Sequence, residues 1–179
     1  SRQEYIFEDA YGQAELVRLK AIEAVFDPST KVRLESTGLS KGWRCLEIGP
    51  GAGSIMRWLG EKAGPEGRVT AVETNPRFLD VRDLPSYIEL LKGDIRDVNF
   101  ENPRFDLIHS RYVLIHLSDY RPVLEKLLKT LKPGGWLVIE EPDFSASRPI
   151  IGPKHLCRSF KQKGQPRHLS DVSRSRHQS

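Results

Sequence analysis

Leu46-Glu-Ile-Gly-Pro-Gly-Ala-Gly53 is the stretch on which the fold turns. The apolar run Arg44-Cys-Leu-Glu-Ile48 reads as a short buried strand. Three glycines within the next five residues allow a tight turn and close backbone approach to a ligand. Ser54 to Lys62 then places Ile55, Met56 and Leu59 at helical spacing. A glycine-rich loop between a strand and a helix points to a ligand-binding turn, with a plain Gly-rich turn as the alternative.

Outward from this point, strands and helices alternate. Gly64-Pro65-Glu66-Gly67 reads as a turn, and Arg68-Val-Thr-Ala-Val-Glu73 as a second strand. Pro76 to Asp83 reads as a short helix with its proline in the first turn. Tyr87-Ile-Glu-Leu-Leu-Lys92 and Phe105-Asp-Leu-Ile-His109 are the third and fourth strands, joined by a link, 93–104, too short for a full helix. Ser118 is placed to cap a helix whose apolar face holds Tyr120, Val123, Leu124, Leu127, Leu128 and Leu131. Lys132-Pro-Gly-Gly135 stops it, and Trp136-Leu-Val-Ile-Glu140 is the fifth strand. On the N-terminal side, Glu8 to Phe26 reads as a helix along Ala10, Leu16, Leu19 and Ile22, extended by Val25 and Phe26. Asp27-Pro28 is expected to end it, with a second short helix from Ser29 towards Thr37. The alternation predicts an α/β domain: a Rossmann-like, mostly parallel sheet with helices on both faces.

Three acids stand near the strand ends. Glu47 precedes the glycine loop, Glu73 closes the second strand, and Asp94 follows the third in Gly93-Asp94-Ile95. The dinucleotide pattern G-x-G-x-x-G/A fits poorly, because Ser54 stands at its sixth position and Pro50 between its first two glycines. A carboxylate at Glu47 would repel a pyrophosphate and suit a cationic ligand. Glu73 can accept hydrogen bonds from both hydroxyls of a ribose. Asp94 can accept from an exocyclic amine, with Ile95 on the base face; a plain Gly-Asp turn accounts for that segment equally well. Together they put an adenosine at the carboxyl ends of parallel strands, at the switch point of the sheet.

With these segments in this order, the chain resembles the class I S-adenosylmethionine-dependent methyltransferases, particularly their small-molecule branch. The resemblance covers about residues 5–160. It rests on Glu47-Ile-Gly-Pro-Gly-Ala-Gly53, Val72-Glu73, Gly93-Asp94-Ile95, Phe105-Asp-Leu-Ile-His-Ser110 and Leu131-Lys-Pro-Gly-Gly-Trp-Leu-Val138. It implies S-adenosyl-L-methionine as cofactor. Gly49, Gly51 and Gly53 would border its methionine and ribose parts. Glu47 would face the cation, Glu73 the ribose and Asp94 with Ile95 the adenine; Ser110 and Arg111 would stand beside the methionine part. Tyr11 either folds over the cofactor or is an ordinary core or surface tyrosine. His109, Tyr112 and His116 follow the fourth strand, where a general base could stand, but no catalytic residue is assigned. The implied function is methyl transfer to a small-molecule acceptor. A cofactor-binding but inactive remnant and a nicotinamide-dependent oxidoreductase are the alternatives.

The remaining features bound the class. Of 28 Lys and Arg, five lie in 161–179, where Asp171 is the one acid; the other 23 are balanced by 23 acids. The net charge of +4 therefore belongs to the end of the chain, and no nucleic-acid partner is expected. Cys45 and Cys157 have no metal-ligand spacing, so no metal is expected, and reduced thiols fit a cytoplasmic protein. No apolar run of 18 residues suggests a membrane span. The expected organisation is a helical segment over 1–42, a cofactor-binding domain over 43–161 and a disordered basic tail over 162–179. Pro153 to Lys161 is expected to begin a helix, and five of the family's seven strands are expected. A reading frame broken or truncated near residue 161 would account for this, leaving the fifth strand with an unpaired edge that favours aggregation.

Overall fold

The computed structural model describes residues 2–101, 103–143 and 156–163, with side chains over 11–101 and 103–142. The elements are α1 (Arg2–Glu35), β1 (Arg44–Ile48), α2 (Ser54–Ala63), β2 (Arg68–Glu73), β3 (Ile88–Lys92), β4 (Phe105–Arg111), α3 (Arg121–Thr130), β5 (Leu131–Asp143) and β6 (Leu156–Lys163). Single 3-10 turns cover Pro76–Phe78 and Leu114–His116. The strands form one sheet in the order β3-β2-β1-β4-β5-β6. β1 to β5 are parallel to their neighbours, and β6 pairs antiparallel with β5 from Trp136↔Lys163 to Asp143↔Leu156. The order reverses between β1 and β4, which is the switch point where open α/β sheets bind ligands. No helix among the described residues is long and apolar enough to cross a membrane.

Two apolar layers flank the sheet. On one side Leu34 of α1 and Ile55, Met56 and Leu59 of α2 cover Cys45, Val69, Ala71, Leu107 and Val138. On the other, Val123 and Leu127 of α3 cover Leu46, Ile48, Ile108, Leu137 and Ile139. Neighbours along a strand alternate between the layers, as the two-residue period requires. β1 and β2 occupy the predicted residues.

Four expectations are corrected. The N-terminal helix does not stop at Asp27-Pro28; α1 runs through Pro28 to Glu35. The inward positions Asp27, Thr30 and Leu34 are buried, and their packing outweighs the backbone hydrogen bond that proline forfeits. The helix over Pro76 to Asp83 shrinks to one 3-10 turn. The segment expected to begin a helix within 153–161 instead supplies β6, so the sheet has six strands rather than five and β5 is paired on both edges. The ladder to β5 decides this: eight residues in register satisfy backbone groups that a lone helical turn would leave open. β6 also runs past the boundary placed after residue 161; residues 164–179, with the basic tail, lie outside the described residues. Lys132-Pro-Gly-Gly135 lies inside β5 as an irregularity of the ladder, between Phe105↔Leu131 and Leu107↔Trp136.

Candidate functional site

A crevice of about 450 Å³ opens at the carboxyl ends of β1, β2 and β4, beside the turn that follows β3. Gly49 and Gly51 form one wall, and both adopt positive φ, 66° and 61°. A Cβ on Gly49 would lie 2.4 Å from Val113 Cγ2, so only glycine lets this loop meet the rim of β4. The Gly49 N–H donates to the Val72 carbonyl at 2.9 Å and anchors the loop over β2. Glu73 comes from the tip of β2, and Asp94 and Ile95 from the turn after β3. That turn is gathered by Lys126 of α3, whose ammonium donates to the carbonyls of Ile95, Arg96 and Val98. Glu141 accepts from the Leu114 N–H at 2.8 Å, fixing the rim turn that brings Val113 and His116 to the crevice.

Of the predicted site residues, Gly49, Gly51, Glu73, Asp94, Ile95 and Arg111 line this crevice. Glu47, Gly53 and Ser110 are not among its lining residues. Gly53 is the left-handed N-cap of α2, with φ 97°. Ser110 is fully buried inside the sheet, its hydroxyl without a partner. Glu47 points sideways within the sheet: its Oε2 lies 2.7 Å from His109 Nδ1, and both residues are buried. Strand alternation explains this, since Glu47 and His109 are paired in register on the α1 and α2 face. Tyr11 is 70% exposed, at the rim of an adjoining hollow that Glu73 and Arg18 also border.

Glu73 accepts from the Asn75 N–H at 2.9 Å and the Thr74 hydroxyl at 3.1 Å, both on Oε1, which leaves Oε2 for a ligand. Asp94 accepts from Arg96 through both oxygens, at 3.0 and 2.6 Å, and from the Arg96 N–H at 2.8 Å. The Arg96 hydrogen bonds draw its carboxyl down to about 2, so it is a carboxylate throughout the working pH range. Arg111 is held by Asp27 at 2.9 Å and Thr30 at 3.0 Å.

Beside the crevice lies a buried ionic cluster. Glu140 accepts from Thr30 Oγ1 at 2.5 Å and from Arg33 at 2.7 Å, and its Oε2 is 3.6 Å from His109 Nε2. His109 thus stands between two carboxylates. Burial disfavours its charge, but Glu47 and Glu140 prevail and raise it to about 9. Burial likewise opposes ionisation of Glu140, but the facing His109 and the hydrogen bond from Thr30 hold its carboxyl below the usual range. His109 is therefore an imidazolium, and it is not available as a base.

The sequence reading missed the contribution of α1. Arg18, Leu19, Ile22 and Glu23 line the crevice, and the Glu23 carboxylate accepts from the Ser54 N–H at 3.0 Å, on the first residue of α2. The signal was present: Leu19, Ile22, Glu23, Phe26, Asp27, Thr30 and Leu34 recur at helical spacing, but half of that stripe is polar. An apolar count gives weight to Val25 instead, which is 67% exposed. Tyr112, the one non-glycine residue at positive φ among those described (58°), stacks edge-on against Phe26 at 5.3 Å.

Comparison with known proteins agrees with this geometry. Residues 46–139 match the family described as "Methyltransferase domain". Methyltransferase str3 of Strobilurus tenacellus is 35% identical over 115 residues, covering 63% of this chain and 40% of that protein. Demethylmenaquinone methyltransferase of Staphylococcus aureus (strain JH9) is 29% identical over 112 residues, covering 60% and 46%. The chain thus spans less than half the length of these curated relatives. Among solved structures, a SAM dependent methyltransferase from Aquifex aeolicus superposes with a TM-score of 0.62 at 24% identity, covering 78% of each chain.

Proposed function

Because the chain belongs to the class I S-adenosylmethionine-dependent methyltransferases, we propose that it transfers a methyl group from S-adenosyl-L-methionine to a small-molecule acceptor in the cytoplasm. The observation that carries this reading is the crevice at the switch point, with a side-chain-free glycine bend on one wall and an open carboxylate oxygen of Glu73 on another.

The residues present fit the cofactor. The glycine bend offers room for close approach, and Glu73 Oε2 can accept from ribose hydroxyls. Asp94 keeps lone pairs beyond those used by Arg96 and can accept from an exocyclic amine, with Ile95 beside it. Glu23, Glu73 and Asp94 are matched in the lining by Arg18, Arg96 and Arg111, so the crevice offers directed acceptors rather than a net negative field.

When bound, the cofactor supplies a methyl group already activated on sulfur. The chain's own task is alignment and exclusion of water. Ile22 and Leu19 roof the crevice with hydrocarbon, and Val113 and Leu117 close the β4 rim. An acceptor that must lose a proton needs a base. His116 and Tyr112 border the crevice and are the groups in position; His109 lies outside the crevice lining, with its Nδ1 held by Glu47.

Titration calorimetry with S-adenosylmethionine, S-adenosylhomocysteine and NAD tests the reading: the first two bind and NAD does not. Glu73→Ala weakens that binding by about 1–3 kcal/mol if the carboxylate accepts the ribose hydroxyls. Unchanged affinity removes Glu73 from the site. A methyl-transfer screen over small-molecule acceptors separates an active enzyme from a chain that only holds the cofactor.

A further inference from the structure

The crevice has one wall that is not part of the sheet. Arg18, Leu19, Ile22 and Glu23 all belong to α1, and little hydrocarbon holds that helix down. Val17, Val25 and Val32 face solvent, and of the apolar α1 side chains described only Leu34 is fully buried. The polar inward positions make the attachment instead. Thr30 and Arg33 donate to Glu140, Asp27 and Thr30 accept from Arg111, and Glu23 accepts from the Ser54 N–H.

Three of these bonds converge on the two carboxylate oxygens of Glu140 and on Thr30, and Glu140 in turn faces His109. The ring geometry dictates its protonation. A carboxylate accepts only, so Nδ1 at 2.7 Å from Glu47 must carry a proton. A neutral ring would then present the Nε2 lone pair to Glu140 Oε2 at 3.6 Å, a repulsive contact. The imidazolium turns both contacts into attractions and offsets two buried negative charges.

We infer that His109 and Glu140 are positioning residues, which pin α1 against the sheet so that its inner face forms the wall of the cofactor crevice. Neither touches the crevice; both act through Thr30, Arg33 and Arg111. This inference rests on the crevice being the cofactor site.

The charged surroundings of His109 are few. Glu47 faces it from β1 and Glu140 from β5; behind Glu140 stand Arg33 and Asp27 of α1 and Arg111 of β4. The Cys45 thiol, two residues along β1 from Glu47, is pushed up to about 12, chiefly by burial, and stays neutral. Raised above its ordinary value, His109 contributes fully below that value, and its contribution is lost as pH rises through about 9.

Arg33→Gln breaks the pin from its half-buried end without opening the core, Arg33→Lys restores a charge, and Glu140→Gln neutralises the centre. Hydrogen exchange and affinity for S-adenosylhomocysteine are followed together from pH 7 to about pH 10, across the titration of His109. Arg33→Gln and Glu140→Gln should speed exchange over residues 19–34 by about tenfold or more while strand amides keep their protection. Affinity falls several-fold in step, and Arg33→Lys recovers most of both. In the wild type, affinity declines above about pH 9, and this decline is absent in Glu140→Gln. Three results overturn the inference: exchange over 19–34 no faster in the variants, helix and strands losing protection together, or a flat wild-type affinity profile. If the wild type binds no adenosyl ligand at any pH, the cofactor reading fails, and the exchange measurement alone decides whether the pin exists.

Discussion

The two faces of the sheet are built on different principles. Beneath α3 the contacts are mainly hydrocarbon: Ile48, Ile108 and Ile139 cluster with Val123 and Leu127, and Phe105 packs edge-on against Phe100 at 5.1 Å, with Thr70 and Ser110 as uncharged polar residues among them. Beneath α1 the amino-terminal half of the sheet is equally dry, with Cys45, Leu107 and Val138, but its carboxyl half carries Glu47, His109 and Glu140. The dry face depends chiefly on shape, with Glu141 at its carboxyl rim. The mixed face depends on charge balance, and the crevice opens between the two faces, lined by Leu19, Ile22 and Glu23 of α1 and by Ile48, Val72 and Ile95 of the α3-side cluster.

This contrast can be broken by substitution. Phe105→Ala on the dry face should cost about 3–5 kcal/mol in denaturant unfolding, equally at pH 7 and at pH 10. His109→Leu on the mixed face leaves Glu47 and Glu140 facing each other without a cation and should cost about 3–5 kcal/mol near pH 7. That penalty shrinks as pH passes about 9, where the wild-type imidazole itself loses its proton. A constant penalty across that range would show that His109 contributes shape alone. Gly49→Ala presses a methyl group on Val113 and disfavours the φ of 66°; a stability loss of about 1–3 kcal/mol with weaker cofactor binding is expected in the same assays. At the small end, Val25→Ala on the outer side of α1 should change stability by less than about 0.5 kcal/mol.

What the residues disclosed in advance follows the same division. β1, α2 and β2 were readable because a short apolar run, a glycine bend and a helical stripe each carry a local signal. Glu73 and Asp94 were placed at the crevice for the same reason: each sits at a strand end adjoining a turn. The direction of the Glu47 carboxylate is not legible, because it is set by its partner on β4, 62 residues away, which no local pattern contains. The course of α1 through Pro28 was hidden likewise, since its reward is Arg111 meeting Asp27, an ion pair spanning 84 residues. β6 was missed because its ladder partner, not its own composition, makes it a strand.

Pro28 has one more consequence. Proline brings no amide hydrogen, so the carbonyl of Ala24, one turn earlier, has no donor within the helix. Ala24 lies on the outer surface, where a water molecule can complete that valence. The open carbonyl thus falls between the stretch bonded to the sheet through Asp27, Thr30 and Arg33 and the stretch that lines the crevice with Leu19 and Ile22.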